Sequence, residues 1–198
     1  MSYYAGNCDV AVIGAGHAGI EAALAAARLG LHTILFTINL DAVANLPCNP
    51  AIGGTGKGHL VRVVVALGGQ MGIAADHCCI QYRMLNRGKG PAVHSLRAQA
   101  DRRAYQNYMK HVIEQTENLE LKQAMIVSLT VENGAVTGLD TMLGAHYDAR
   151  AVIIASGTYL DSTVITGACV YPSGPDGMHA AEDQPPERGF FQNGAAAR

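Results

Sequence analysis

Residues 8–36 read CDVAVIGAGHAGIEAALAAARLGLHTILF, and the order of residue types in this stretch decides the fold class. A β-branched apolar run ends at Gly14, an alanine-rich stretch follows as far as Leu29, and a second apolar run of strand length begins at Leu31. This order predicts a strand, a glycine turn, a helix and a second strand parallel to the first, joined by a right-handed crossover. The predicted fold is therefore α/β, with a Rossmann-like parallel sheet.

The turn between the first strand and the helix has the GxGxxG spacing of a dinucleotide-binding site. Gly14 permits a tight turn, Gly16 lets the backbone approach a pyrophosphate, and Gly19 allows the helix to pack closely on the sheet. The helix N-terminus adds aimed N–H groups and a partial positive charge. We predict that the cofactor-binding residues of this turn are Gly14, Ala15, Gly16, His17, Ala18 and Gly19.

No acidic residue closes the second strand, where one usually holds the ribose hydroxyls of a dinucleotide. Asn39 and Asp41 are the nearest substitutes. Glu21, one turn into the helix, is a third candidate. The presence of a glutamate there is explained equally well by a helix position that faces solvent. The ribose contact therefore stays open between these three residues.

Loop and helix signals alternate through the middle of the chain. The Asn-, Pro- and Gly-rich residues 37–58 predict a long loop of the functional kind, and residues 59–67 predict a short helix that ends at a glycine pair. Residues 83–91 predict a second, glycine-broken loop. Heptad-like apolar spacing over residues 92–115 predicts one long amphipathic helix.

The second half of the chain carries strand signals. Residues 119–121 predict a short returning strand, and residues 126–131 and 135–143 flank Asn133-Gly134, a strong hairpin-turn signal. These three segments predict an antiparallel excursion. Residues 151–155 predict a continuous buried strand that returns to the nucleotide edge of the parallel sheet. The complete prediction is a Rossmann-like sheet of the FAD/NAD(P)-binding type with an antiparallel hairpin insert.

The composition excludes several classes of protein. Hydrophobic residues make up 49% of the chain and charged residues 15%, which is typical of a globular protein, and no apolar run has the length of a membrane helix. No basic residue precedes the first apolar run, which favours a cytoplasmic protein over a secreted one. The five cysteines have no CxxC spacing and form no cluster with the eight histidines. We therefore predict neither a disulfide framework nor a metal site.

Basic residues are concentrated between Arg83 and Arg103, where six of them accompany the single acid Asp101, although the net charge of the chain is −2. Two interpretations stay open. The basic residues form either a stripe that faces phosphate groups or a solvated helix face with its loop.

Cys48 lies in a rigid segment between two prolines, Pro47 and Pro50. A thiol held near a flavin can act as a nucleophile or redox partner when its pKa is lowered, whereas a small buried filler is the simpler interpretation. The glycines that follow do not form an ATP-binding P-loop, because Ala51 and Gly58 stand where that motif needs a glycine and a Ser or Thr. We predict instead that these glycines let the backbone pass close to a planar cofactor.

Six segments resemble the glucose-inhibited division protein A (GidA/MnmG) family, FAD-dependent enzymes that modify the wobble uridine of tRNA. They are GAGHAGIEAALAAARLG (14–30), CNPAIGGTGKGHLV (48–61), ALGGQMG (66–72), IQYRMLNRGKGPAV (80–93), RAQADR (97–102) and SGTYLD (156–161). The CNPAIGG and RAQADR blocks are far more specific than the glycine turn. The resemblance runs from about Asp9 to Gly177 and ends after about Ala181, and family members are considerably longer.

The resemblance implies a flavoprotein that uses FAD, with NADH as reductant, a methylene-folate one-carbon donor, a GTPase partner, tRNA as substrate and a homodimeric assembly. It also implies that residues 14–19 bind FAD, that the backbone of Ile126 meets the adenine end, and that Cys48 is the catalytic thiol. Residues 1–177 are then an FAD-binding Rossmann-like domain that is incomplete relative to the family. Residues 178–198 are expected to be a disordered or frame-altered tail, because they contain few large apolar groups.

Two alternatives to a fragment of a tRNA-modifying flavoenzyme stay open. One is a generic flavin-dependent oxidoreductase acting on a small molecule, and the other is a truncated remnant without catalytic activity. The CNPAIGG block favours the tRNA-modifying family over the generic oxidoreductase. The missing length favours the remnant, and we expect this chain alone to modify little or no tRNA.

Overall fold

The computed structural model describes residues 2–47, 49–160, 162–174, 176 and 178. Its helices and strands are β1 (Tyr3–Ile13), α1 (His17–Arg28), β2 (Thr33–Thr37), β3 (Ala51–Gly53), α2 (Gly58–Ala66), α3 (Met71–Cys78), β4 (Cys79–Leu85), β5 (Ser95–Ala100), α4 (Arg102–Gln115), β6 (Leu119–Gln123), β7 (Ile126–Glu132), β8 (Ala135–Thr141), β9 (Ala145–Ile154), β10 (Thr163–Thr166) and β11 (Cys169–Pro172). Apart from Met178, the predicted tail lies outside the described residues, and so does Cys48.

The main sheet has six strands in the order β6-β2-β1-β9-β8-β7. Strand β1 lies beside β2 and β9 and runs parallel to both, and β2 runs parallel to β6. Strands β7, β8 and β9 pair in antiparallel fashion, with Asn133 and Gly134 at positive φ in the turn that joins the first two. This arrangement confirms the predicted α/β fold with its antiparallel hairpin insert.

Two apolar clusters cover the two faces of this sheet. On one face, buried side chains of α1 and α4, among them Leu24 and Met109, pack with Val12 of β1 and Leu35 of β2. On the other face, Phe36 packs with residues of the β7-β8-β9 segment, including Leu139. Both faces of the sheet are therefore packed near the carboxyl ends of β1 and β2, where a Rossmann-like fold places its ligand.

A second sheet of three antiparallel strands has the order β3-β5-β4. Helices α2 and α3 lie against one face of it, and together they bound a cavity of about 410 Å³ lined by side chains such as Val61, Val65, Leu96 and Ala98. The glycine-rich segment that follows β3 therefore leads into this smaller layer.

The predicted long helix over residues 92–115 is wrong in its first part. Residues 95–100 form β5, the central strand of the small sheet, and the helix begins only at Arg102. The side chain of Asp101 accepts a hydrogen bond from the amide of Ala104 at 2.9 Å and so marks the helix start. The helical spacing across residues 96, 100 and 104 spans this boundary by coincidence, because pairing with β3 and β4 outweighs local periodicity.

Two further strand predictions need correction. Strand β6 extends the parallel sheet beside β2, so the third strand of the antiparallel excursion is β9. The end of β9 is not buried as predicted: Ile153 is 38% exposed and Ile154 is 51% exposed. Pairing with β8 ends at Asp148, and within the described residues only β1 accompanies β9 beyond that point.

The predicted loops also contain short strands. Strand β3 lies inside the loop predicted for residues 37–58, and β4 continues to Leu85 before the loop predicted from Arg83 begins. Among the described residues, no single helix is both long and apolar enough to span a membrane, and only α2 and α3 together, bent by 112°, reach that length and composition.

Candidate dinucleotide-binding site

The turn between β1 and α1 brings the backbone of three strands together. Gly14 has φ +106°, and a Cβ atom there would lie 2.4 Å from the carbonyl oxygen of Ala155, which follows β9. The amide of Gly14 donates a hydrogen bond of 2.8 Å to the carbonyl of Phe36 in β2. Only glycine fits this position, because both the backbone angle and the close contact exclude a side chain.

Gly16 and Gly19 have different surroundings. Gly16 is the N-cap of α1 in an extended conformation, and a Cβ atom there would meet no atom of the described residues within 4 Å. A Cβ atom at Gly19 would lie 1.8 Å from the carbonyl oxygen of Gly14. Gly19 therefore lets α1 approach the turn, whereas Gly16 leaves the space in front of the helix N-terminus open.

The helix N-terminus has no side-chain cap and no acidic residue in its first turn. Its first amide N–H groups are consequently available to an anion, and the helix dipole adds a partial positive charge at the same place. This arrangement suits a pyrophosphate.

A cavity of about 360 Å³ lies in front of this N-terminus, at the carboxyl ends of β1, β2 and β9. The lining comes mainly from residues 13–17, 36–38, 124–126 and 154–160. The cavity thus occupies the position at which strand order reverses on either side of β1, where open α/β sheets bind nucleotides.

The structure brings most of the predicted cofactor-binding residues to this cavity. Gly14, Ala15, Gly16 and His17 line it on one side, and Ile126 lines it at the start of β7. Ala18 and Gly19 are not among the lining residues, because they lie within the first turn of α1. The binding role of all these residues stays a prediction.

His17 lines this site and contains a buried polar atom. Burial lowers the pKa of its imidazole, which favours the neutral form, and its Nε2 atom has no hydrogen-bond partner among the described residues. Its ring centroid lies 5.7 Å from that of Tyr105, whose buried hydroxyl likewise lacks a described partner. An unpartnered buried polar atom is costly, so a ligand or water that bonds to His17 would remove that cost.

None of the three ribose candidates lines the cavity. Glu21 accepts hydrogen bonds from the amides of Gln70 and Met71, at 2.9 and 2.6 Å, and so caps the N-terminus of α3. The side chain of Asn39 accepts from the amide of Asp41 at 2.8 Å within a short 3-10 turn. Neither Glu21 nor Asn39 is free for a ribose in this arrangement.

The structure explains the glycines after Cys48 by contacts within the protein. A Cβ atom at Gly53 would lie 2.5 Å from the carbonyl oxygen of Leu96, and the amide of Gly54 donates to the same oxygen at 2.9 Å. These glycines let the chain approach β5, which differs from the predicted approach to a planar cofactor.

The residues flanking Cys48 are described: Pro47 lines the cavity, and Asn49 contacts Gln99 of β5 through Oδ1 at 3.4 Å. The chemical role of Cys48 stays a prediction.

Sequence reasoning missed a polar cluster at the rim of the cavity. The Arg102 guanidinium donates to the side chains of Asn45, at 2.7 Å, and Asp176, and Asn45 itself donates to Asp176 at 2.8 Å. The hydrogen bond from Asn45, together with the charge of Arg102, lowers the pKa of the Asp176 carboxyl. Asn45 lines the cavity, so this cluster lies at its edge. Arg102 stands in the RAQADR block, the one sequence signal that could have indicated it.

Within the described residues, no group of three or more His, Cys, Asp or Glu side chains could hold a metal ion.

Comparisons with known proteins place this chain next to one set of relatives. Residues 9–187 match the family described as glucose inhibited division protein A, and the match ends six positions beyond the predicted Ala181. The chain is 58% identical over 182 residues to a tRNA uridine 5-carboxymethylaminomethyl modification enzyme MnmG of Caldicellulosiruptor saccharolyticus, and 59% identical over 181 residues to that of Clostridium novyi. These matches cover 92% and 91% of this chain but only 29% of either relative.

Solved structures agree with this relationship. Aquifex aeolicus GidA superimposes with a TM-score of 0.84 at 49% identity, over 89% of this chain and 29% of that one. The GidA-related protein of Thermus thermophilus superimposes with a TM-score of 0.63 at 23% identity, over 87% of this chain and 63% of that one, which shows a shared fold.

Proposed function

Because the chain belongs to the glucose-inhibited division protein A family, we propose that it forms the part of a tRNA-modifying flavoenzyme that holds the pyrophosphate and adenosine of FAD. The observation that carries the proposal is the open, uncapped helix N-terminus at Gly16, which faces a cavity of about 360 Å³. A phosphate can approach the first amides of α1 there without displacing any side chain.

The remaining activity belongs in this proposal to the complete enzyme. The chain spans 29% of the length of the curated MnmG relatives it matches, and those relatives are named for modification of tRNA uridine. We propose the same substrate class, with NADH as reductant, methylene-folate as carbon donor, a GTPase partner and a homodimeric assembly. A generic flavin oxidoreductase is disfavoured by the family match, which includes the CNPAIGG block.

Three features of this chain serve the bound cofactor in the proposal. The amides after Gly16 bind the pyrophosphate, the backbone at Ile126 contacts the adenine, and His17 forms part of the cavity wall beside the helix N-terminus. Bound FAD would supply the redox chemistry, and Cys48 is the candidate thiol that acts beside it. Cys48 follows Pro47, which lines the same cavity.

Calorimetric titration of the 198-residue chain with three nucleotides tests this proposal. ADP and FAD share the adenosine and pyrophosphate, whereas FMN lacks both the adenosine and the second phosphate. We expect ADP and FAD to bind with similar affinity and FMN to bind at least about tenfold more weakly, a difference of about 1.4 kcal/mol.

The test variant is Gly16→Val and the control is Gly88→Ala, since a Cβ atom at either glycine meets no described atom within 4 Å. Gly16→Val should abolish binding, and Gly88→Ala, outside the cavity lining, should leave it unchanged. Tighter binding of FMN than of ADP, or unchanged affinity in Gly16→Val, would reject the assigned site.

A further inference from the structure

The net positive charge of this chain lies in residues 42–100. Between Ala42 and Ala100 there are six basic residues and one acid, Asp76, whereas the remainder of the chain carries eight basic and fifteen acidic residues. An acidic chain therefore carries one strongly basic segment, and that segment contains the β3-β5-β4 sheet.

Register places two arginines side by side on one face of this sheet. Arg83 of β4 is directly opposite Arg97 of β5, and Gln81 is directly opposite Gln99. Because side chains alternate along a strand, these four share one face. The other cross-strand neighbour of Arg97 is Gly53 of β3, which has no side chain.

The opposite face differs in character. Tyr82 and Leu96 belong to it and line the cavity beneath α2 and α3. The only acid of the segment, Asp76, accepts a hydrogen bond from the Tyr82 hydroxyl on that side. The arginine-bearing face thus has no acid of its own segment, and no described carboxylate lies within 4.0 Å of Arg83 or Arg97.

Like charges directly opposite each other destabilise an antiparallel pair. A folded sheet that keeps Arg83 against Arg97, with neutral Gln81 and Gln99 beside them, is arranged for an external anion that neutralises both guanidinium groups. The exposed Gln81 side chain adds hydrogen-bonding groups of the kind that contact phosphate and sugar groups, whereas Gln99 accepts a hydrogen bond from Arg97 at 3.3 Å.

Further cations extend this face at one end. The exposed turn between β4 and β5 carries Arg87 and Lys89. Asn86, in the same turn, donates to the hydroxyl of Thr55 at 2.8 Å and so ties the turn to the loop that carries Lys57. Together with Arg83 and Arg97 in the sheet, these two residues make four cations on neighbouring segments, more than one phosphate group requires.

We propose that this cationic face, defined by Gln81, Arg83, Arg87, Lys89, Arg97 and Gln99, binds the phosphate backbone of the RNA substrate, an inference that rests on the proposed tRNA-modifying function. Four cations on neighbouring segments suit a nucleic acid strand, which carries one phosphate per nucleotide, better than a single small anion. The hydrogen bond from Gln99 to Asn49, the residue after Cys48, joins the face to the loop of the candidate thiol. A strand bound here passes next to that loop.

Fluorescence anisotropy with a labelled tRNA anticodon stem-loop tests the proposal over a series of salt concentrations. The variant Arg83→Gln/Arg97→Gln should bind the RNA at least about tenfold more weakly at low salt. In a plot of log K against the logarithm of the salt concentration, the slope of this variant should be smaller in magnitude by about 1.4. That change corresponds to the loss of two contacts to single-stranded phosphates. The control Arg150→Gln removes one positive charge from a side chain that is 81% exposed on β9, and should change affinity by far less than half of the effect of the double variant.

Two further measurements separate this role from a structural one. Removing the like-charged pair should leave the melting temperature unchanged or raise it, whereas a structural role for either arginine would lower it. ADP affinity should be unchanged in the variant, so loss of RNA binding with intact ADP binding supports the proposal. If circular dichroism shows that the double variant does not fold, Arg87→Gln and Lys89→Gln in the exposed turn are measured by the same criteria.

Unchanged RNA affinity and slope in these variants would overturn the cationic face while leaving the FAD proposal intact, because ADP binding reports on a different cavity. An equal loss in Arg150→Gln would overturn it as well, since the effect would then be nonspecific. A third outcome is that the parent chain binds methylene-folate but no RNA, and that the double variant loses the folate binding. This outcome would assign the face to that small anion and reject RNA. If the parent chain binds RNA through both arginines but does not bind ADP, only the FAD proposal is rejected.

Discussion

Alanine in place of Gly16 should separate nucleotide binding from folding, whereas alanine in place of Gly19 should affect folding first. Both glycines belong to the same turn, but a Cβ atom meets nothing within 4 Å at Gly16 and lies 1.8 Å from the carbonyl oxygen of Gly14 at Gly19. The two variants therefore differ in where one methyl group goes.

The energetic consequences follow from these contacts. Gly16 has φ −75°, which alanine adopts without strain, so the lower N-cap preference of alanine and its smaller unfolded-state entropy should nearly cancel, to within about 1 kcal/mol. At Gly19 the methyl group must displace backbone, and the overpacking should exceed the helix-propensity gain by about 2 kcal/mol. For a chain of this size that difference lowers the melting temperature by about 4–8 °C.

Thermal unfolding followed by circular dichroism and ADP titration by calorimetry measure the two effects. We expect Gly16→Ala to melt within about 4 °C of the parent yet bind ADP at least about tenfold more weakly, because its methyl group occupies the approach of the pyrophosphate. Gly88→Ala, another glycine whose Cβ has open space around it, is the control. Parent-like ADP affinity in Gly16→Ala, or parent-like stability in Gly19→Ala, would refute this reasoning.

Three further predictions concern other parts of the chain. Asp101→Ala should destabilise the protein by about 1 kcal/mol, because the side chain caps α4, and Asp101→Asn should retain most of the cap; urea unfolding compares the two. The hydrogen bond to Asp140 raises the pKa of His146, so its contribution is fully present below about pH 6.5 and is lost as pH rises through the higher folded-state value; the fall in unfolding free energy above pH 6.5 should be smaller in His146→Gln. Burial raises the pKa of the Cys8 thiol to about 11, so alkylation of the folded chain at about pH 8 followed by mass spectrometry should label exposed Cys169 and spare Cys8, and equal labelling would contradict the described burial.

Local sequence was sufficient for the β1-α1-β2 unit and for the hairpin at Asn133-Gly134. In both, the deciding information lies within a few residues: glycines where φ must be positive, alanines with buried faces along α1, and alternating strands on either side of a turn. The CNPAIGG and RAQADR blocks likewise indicated the family, which the match over residues 9–187 confirms.

Contacts between distant segments decided the rest. Residues 95–100 became a strand because β3 and β4 pair with both of their edges, and no local period contains that information. Glu21 is not available to a ribose because the amides of Gln70 and Met71, about fifty positions away, donate hydrogen bonds to its carboxylate. The rim cluster of Asn45, Arg102 and Asp176 joins three separate parts of the chain.

The sequence by itself determined the element types around the glycine turn and the family, because each depends on residues that are neighbours in the chain. Only the tertiary structure decided which glycine leaves open space and which packs, since the Cβ positions at Gly14 and Gly19 are judged against the carbonyls of Ala155 and Gly14. It also decided that Arg83 and Arg97 stand side by side. Steric exclusion and charge repulsion act over a few ångströms of space, whatever the separation along the chain. These contacts therefore exist only after folding brings the atoms together, and the sequence alone does not show them.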